Sequence, residues 1–218
     1  MNSRKSAAMV LGLVTLVLAA PASWAVFDDP QKGAAQVDAP AATPEAQAAL
    51  DAALLDVKDA ESLDSGAAPG KKPSPAAKAA YTKARAKFDE ATRADPKLAQ
   101  AWNGLGYSSR KLGDYKSALV AYDKAIELRP GYPEATEYRG EAYLGMNRIE
   151  DAKQAYLDLF ASNRELADKL LASMKAWIGS PGKKKGDVAD LTEFVEERTK
   201  IASQTASLTR EATTQGWN

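Results

Sequence analysis

The sequence has no histidine and no cysteine. Without imidazole, no serine or cysteine nucleophile can pass its proton to a histidine. Without imidazole or thiolate, a zinc site has lost its usual donors. The missing cysteine also removes disulfides, so an exported chain of this composition depends on packing alone for stability. An excess of one charge is lacking too: 29 basic side chains stand against 29 acidic ones. That balance gives no global pull toward nucleic acid or anionic lipid. Long apolar runs are scarce. The one near the start, Ala7 to Ala20, has 14 residues, where a bilayer span needs roughly 20, and nothing later is long and apolar enough to cross a membrane.

That early run reads as an export signal. Arg4 and Lys5 precede it, and Ser23-Trp24-Ala25 puts small residues at the two cleavage-determining places. The mature chain is expected to start near Val26, in the periplasm of a bacterium, with residues 1–25 removed. No cysteine follows the run to accept a lipid. Loss of Arg4 and Lys5 takes the basic count from 29 to 27 against 29 acids, a net charge of about −2.

Residues 26–42 are rich in Ala, Pro, Gln and Asp with no apolar period, which predicts a disordered arm. Over 43–74 a helix is expected first, with Thr43 as cap, Pro44 at the first helical position and Glu45 at the positive end of the dipole. Leu50, Leu54 and Val57 share one face of it. Gly66, Pro69, Gly70, Pro73 and Pro75 then make a loop. Asp28 to Asp64 holds nine acids against Lys32 and Lys58, whereas Lys71 to Lys97 holds eight bases against three acids. Solvated faces of opposite sign are the expected account, with an electrostatic contact between the two halves as the alternative.

The strongest signal is an internal repeat. Shifted by about 34 residues, Gly106 falls on Gly140, Ala118 on Ala152 and Tyr122 on Tyr156; upstream, Tyr115 falls on Tyr81, Ala118 on Ala84, Tyr122 on Phe88 and Pro130 on Pro96. The matching places are the small and the aromatic ones. Gly106 and Ala118 let two helices approach closely, with Tyr122 and Trp102 expected to fill the space around them. Gly113-Asp114 ends one helix, and Pro130 ends the next because the residue before a proline resists helical dihedrals. Gly104 in mid-helix has no sequence-level explanation.

The pattern Trp102, Leu105, Gly106, then Gly113-Asp114-Tyr115, Ala118, Tyr122, Ala125 and Pro130 resembles a tetratricopeptide repeat over 99–132. A second, weaker copy covers 133–166. Upstream, 75–98 keeps the second helix of a partial repeat, since glycines and prolines stand where its first helix belongs. The resemblance spans roughly 75–178 and implies an all-α fold: a short right-handed α-α superhelix of about two and a half helix pairs. Extra helices flank it. One such pair cannot bury its own apolar face, so caps are needed. A capping helix is expected over 164–178, with Leu166, Leu170, Leu171, Met174, Trp177 and Ile178 inward. A loop over 179–186 follows, then a C-terminal helix over 187–210 started by Asp187, and a fraying tail over 211–218 containing Trp217.

Function follows the same line. Neither Pro/Gly loop has P-loop spacing, and their prolines remove the backbone donors such a loop needs. No enzyme, cofactor or metal is expected. The resemblance implies that residues of successive first helices line a concave groove. These are Gln100, Asn103, Tyr107, Arg110 and Lys111 in one repeat, followed by Glu134, Glu137, Glu141 and Leu144 in the next. Amide, phenol and bases beside three carboxylates predict a peptide ligand with at least one basic residue and Tyr107 as a central contact. The competing expectation for Glu137 and Glu141 is pairing with Arg110, Lys111 or Arg139 across helices. The expected role is a protein-protein interaction scaffold for another envelope protein, with no nucleic acid and no membrane span; a short array also invites pairing into a homo-oligomer. The alternative is an accessory or delivery module for a cell-wall enzyme, in which Lys71-Lys72 and Lys183 to Lys185 touch anionic polymer.

Overall fold

The computed structural model describes residues 42–65 and 72–214, with side chains through residue 204. The export signal, all but the last residue of the 26–42 arm, the loop residues 66–71 and Trp217 lie outside the described residues.

Eight helices are described: α1 Pro44–Leu63, α2 Pro75–Ala94, α3 Ala99–Lys111, α4 Tyr115–Leu128, α5 Pro133–Gly145, α6 Ile149–Ser162, α7 Arg164–Ile178 and α8 Lys185–Thr214. Their starts follow from local chemistry. The Thr43 hydroxyl accepts the Ala46 N–H, Ser74 accepts that of Ala77, Asp114 that of Ser117 and Asn163 that of Leu166, each satisfying a donor with no partner inside the helix. The turns after α3 and α5 both need a left-handed residue one period apart. Gly113 supplies it at φ 83° and Asn147 at φ 57°, asparagine being among the few side chains that tolerate that region.

Consecutive helices pack as hairpins, α1 on α2, α3 on α4 and α5 on α6, and the hairpins stack through α2 on α3 and α4 on α5 into an α-α superhelix. Helices α2 to α6 each contribute a stripe of small and aromatic residues at helical spacing, as in α2, where Ala77, Tyr81, Ala84, Phe88 and Ala91 are all fully buried. The crossings are as tight as the small residues imply. A methyl group added to Gly106 would lie 2.6 Å from the Tyr122 ring. Gly104 now has its reason as well: the Phe88 ring of α2 occupies the space a side chain would need. Helix α7 covers the open end of the last hairpin, burying Leu170 and Met174 completely against the α5 and α6 side of the core. Helix α8 then lays Leu191 and Val195 onto the same cluster.

Four expectations change. The pair at 44–94 is not missing its first helix: α1, drawn from upstream of the Pro/Gly loop, packs along α2 with Leu50, Ala53, Val57 and Ala60 buried. The acidic and basic halves do not merely solvate, since Asp56 of α1 pairs with Lys87 of α2 at 2.8 Å. Trp102 does not fill the space beside Gly106; it is half-buried and its indole N–H donates to the Pro96 carbonyl at 2.9 Å. Helix α8 starts two residues before Asp187 and runs past 210 to Thr214, because neither glycine nor proline interrupts the chain between Gly186 and Gly216. Among the described residues no helix is long and apolar enough to cross a membrane.

Candidate functional site

Stacking brings the first helices α3 and α5 into contact, and α7 continues the row against α5. On this inner face five of the predicted residues converge. The Tyr107 hydroxyl donates to a Glu61 carboxylate oxygen near the end of α1. Its ring meets that of Tyr138 at 5.0 Å between centroids and that of Tyr81 edge-on at 6.2 Å. The Arg110 guanidinium lies 5.2 Å from the centre of the Tyr107 ring and 5.0 Å from that of Tyr138. It is ion-paired with Glu141 while its Nε donates to the Tyr122 hydroxyl at 3.4 Å. Ser173 of α7 donates to the other Glu141 oxygen. Lys111 sits over the rings of Tyr81 and Tyr107, at 5.4 and 5.8 Å.

Burial makes these groups electrostatically expensive. It pushes the Tyr107 phenol well up, helped by the Glu61 carboxylate. For Arg110, burial is the largest influence and favours the neutral form, but Glu141, Tyr122, Tyr107 and Glu137 together outweigh it and the group is held more firmly charged. Lys111 goes the other way, lowered by burial and by its neighbour Arg110. Glu137, 5 % exposed, is pushed up to about 8 by burial and by Glu141, with Arg110 pulling against both.

Two predicted groove residues belong to the packing instead. Asn103 is fully buried and its amide donates to the Tyr132 hydroxyl at 3.4 Å. Leu144 joins the downstream core, and its carbonyl accepts the Trp177 indole N–H at 2.7 Å. The spacing argument puts both on the groove face, yet α3 and α5 are each enclosed by helices on several sides, so a residue one turn from the open face already meets a neighbour. Gln100 and Glu134 are half-buried. Of the two expectations for Glu141, pairing with Arg110 is the one realised; Glu137 makes no such pair.

Three contributors were not anticipated. Glu61 comes from a helix outside the 34-residue pattern. Lys169 and Ser173 come from α7, whose sequence was read for its apolar face alone; their i, i+4 spacing along the edge of that stripe was the available signal. Lys183 of the lysine loop is taken up locally, bonding Asn147 at 3.3 Å and lying 4.6 Å from the Trp177 ring.

The model of the tetratricopeptide repeat family matches residues 99–132. Among solved structures, the first TPR of Spaghetti (RPAP3) bound to the HSP90 peptide SRMEEVD is similar over 58 % of this chain and 94 % of its own, at 18 % identity and a TM-score of 0.42. No curated protein matches the sequence. Residues 99–132 thus match one tetratricopeptide repeat, the helix pair α3 and α4, and the same helix pairing extends on both sides of it.

Proposed function

We propose that the chain is a non-catalytic scaffold for protein association in a bacterial periplasm, reached through the export signal of residues 1–25. Its inner face, from α3 through α5 to α7, receives a peptide segment with at least one basic residue. The observation that carries this reading is the convergence of Tyr107, Arg110, Glu137 and Glu141 from successive repeats into one cluster. Here the carboxyl groups of Glu134, Glu137 and Glu141 on α5 lie among the cations Arg110, Lys111 and Lys169. The side chains of this cluster that keep surface open to a partner are Glu141, 22 % exposed, Arg110, 14 % exposed, and the half-buried Lys111 and Glu134.

The test is affinity capture from envelope extract with the mature protein and with a variant carrying Tyr107→Ala and Glu141→Ala. Loss of the captured partners with helical content retained is expected; unchanged capture overturns the assignment. The accessory-module reading rests on Lys184 and Lys185, both exposed, since Lys183 is engaged with Asn147 and Trp177. Co-sedimentation with purified peptidoglycan separates the two readings.

A further inference from the structure

Phe88, Tyr122 and Tyr156 stand at the same place in successive second helices, one 34-residue period apart. Phe88 has no hydroxyl, and that of Tyr122 accepts the Arg110 Nε–H. The Tyr156 hydroxyl has no hydrogen-bond partner among the described residues, although the residue is fully buried. Packing at this place needs the ring alone, so the extra oxygen is desolvated with no bond to offset it. The ring of Tyr156 meets Phe160 of its own helix at 5.7 Å between centroids and Phe194 of α8 edge-on at 5.5 Å. An arginine covers each of those neighbours. Arg164, at the start of α7, lies 3.3 Å from the centre of the Phe160 ring, and Arg198 of α8 lies 5.2 Å from that of Phe194. The Arg198 Nε–H is buried and also without a partner, while its Nη2 donates to Glu197 at 3.1 Å. Both guanidinium groups bring positive charge to the Tyr156 hydroxyl; Asp168, one turn after Arg164, brings negative charge to it without bonding to it. Lys153 also lies over the Phe194 ring, but it is taken up by Glu150 and Asp190.

We propose that Tyr156, Arg198 and Arg164 form a seat for a carboxylate of a binding partner, between α6, α7 and α8 and sharing no residue with the inner-face cluster. What the three offer is donors: an unused O–H, an unused Nε–H and a guanidinium stacked on an aromatic ring. A carboxylate accepts from all of them, and its bonds to arginine are charge-assisted. Asp168 and Glu197 balance the charge of the two arginines, so the seat has no excess positive charge and suits a monoanion better than a dianion such as phosphate. Access requires only side-chain rotation. Arg164 and Asp168 are exposed, and the Arg198 side chain is 21 % exposed, so long side chains cover the hydroxyl and no helix has to move.

The experiment uses the full mature chain with nitrogen-15 in its arginine side chains, followed by NMR during titration with butyrate, its neutral isostere butyramide and inorganic phosphate. Expected is a shift of the Arg198 Nε–H resonance with butyrate and none with butyramide. Tyr156→Phe is expected to weaken butyrate binding about tenfold, the loss of one hydrogen bond to a charged group, while leaving the free chain at least as resistant to urea as the wild type. Arg198→Lys keeps the charge but loses the Nε–H, and weakens binding as well. Asp168→Asn removes the competing charge and tightens it. The Tyr107/Glu141 variant binds butyrate as the wild type does, so this seat and the inner face fail or stand separately. Two tripeptides tell the source of the carboxylate, acetyl-Ala-Ala-Asp amide offering a side chain and acetyl-Ala-Ala-Ala a free chain end; tighter binding of either supports the seat and names its occupant. No shift with butyrate, an equal shift with butyramide, or tighter binding of phosphate overturns the inference. So does a Tyr156→Phe chain that unfolds more easily than the wild type, since the hydroxyl is then bonded within the fold and Asp168 is its partner.

Discussion

The inner and outer faces of this superhelix use the same residue types under opposite conditions. On the inner face, Arg110 and Glu141 form an ion pair with side chains 14 % and 22 % exposed, tied further to Tyr122 and Ser173. On the outer face, Lys124 and Glu127 pair along α4 with 36 % and 67 % exposure. Water screens the second pair and leaves it worth a few tenths of a kcal/mol. The first has lost most of its water and is held by mutual attraction and hydrogen bonds that offset this, so its value lies in what happens when half of it is removed. One face thus carries charge as solvation and the other as a network that must be completed.

Breaking that contrast gives a ranked set of outcomes. Arg110→Met leaves Glu141 and Glu137 buried on one helix without their cation and is expected to cost about 3–5 kcal/mol in urea unfolding. Glu137→Gln sharpens the contrast through pH. A carboxyl whose folded titration is raised to about 8 favours the folded state fully below its unfolded value, and that contribution is lost as pH climbs through the folded one. The wild-type chain is therefore expected to lose stability from this group as pH rises from the ordinary carboxylate range toward 8, and the glutamine variant to lose that slope in urea unfolding and be the more stable of the two at pH 8. Lys124→Ala is expected to shift stability by less than about 0.5 kcal/mol; an effect comparable to that of Arg110→Met would erase the distinction between the faces.

Much of the hairpin stack was legible because close helix crossings constrain residue size, and size survives in sequence as spaced Gly, Ala and Tyr. Gly106 against Tyr122 could be read inside one repeat. Gly104 could not, since the ring it makes room for belongs to Phe88 on the preceding hairpin. Helix α1 was legible as a helix but its pairing with α2 was not, because the connection, residues 64–74, displaces it from the 34-residue register while its stripe Leu50, Ala53, Val57 still packs. At the site, spacing brought Tyr107, Arg110, Lys111, Glu137 and Glu141 to one face. It failed for Asn103 and Leu144, where the number of neighbouring helices decides burial and a one-dimensional period carries no record of that number. Glu61, Lys169 and Ser173 enter from elements whose polar residues have no counterpart in the repeat pattern.

The indole of Trp177 donates to the carbonyl of Leu144 while its ring fills the seam between α5 and α7. In a linear array the terminal unit opens first, and here a single directional bond registers the terminal unit against the last hairpin. Trp177 is thereby an optical gauge of end fraying: its emission moves toward longer wavelength when α7 lifts away, before the upstream hairpins have begun to melt.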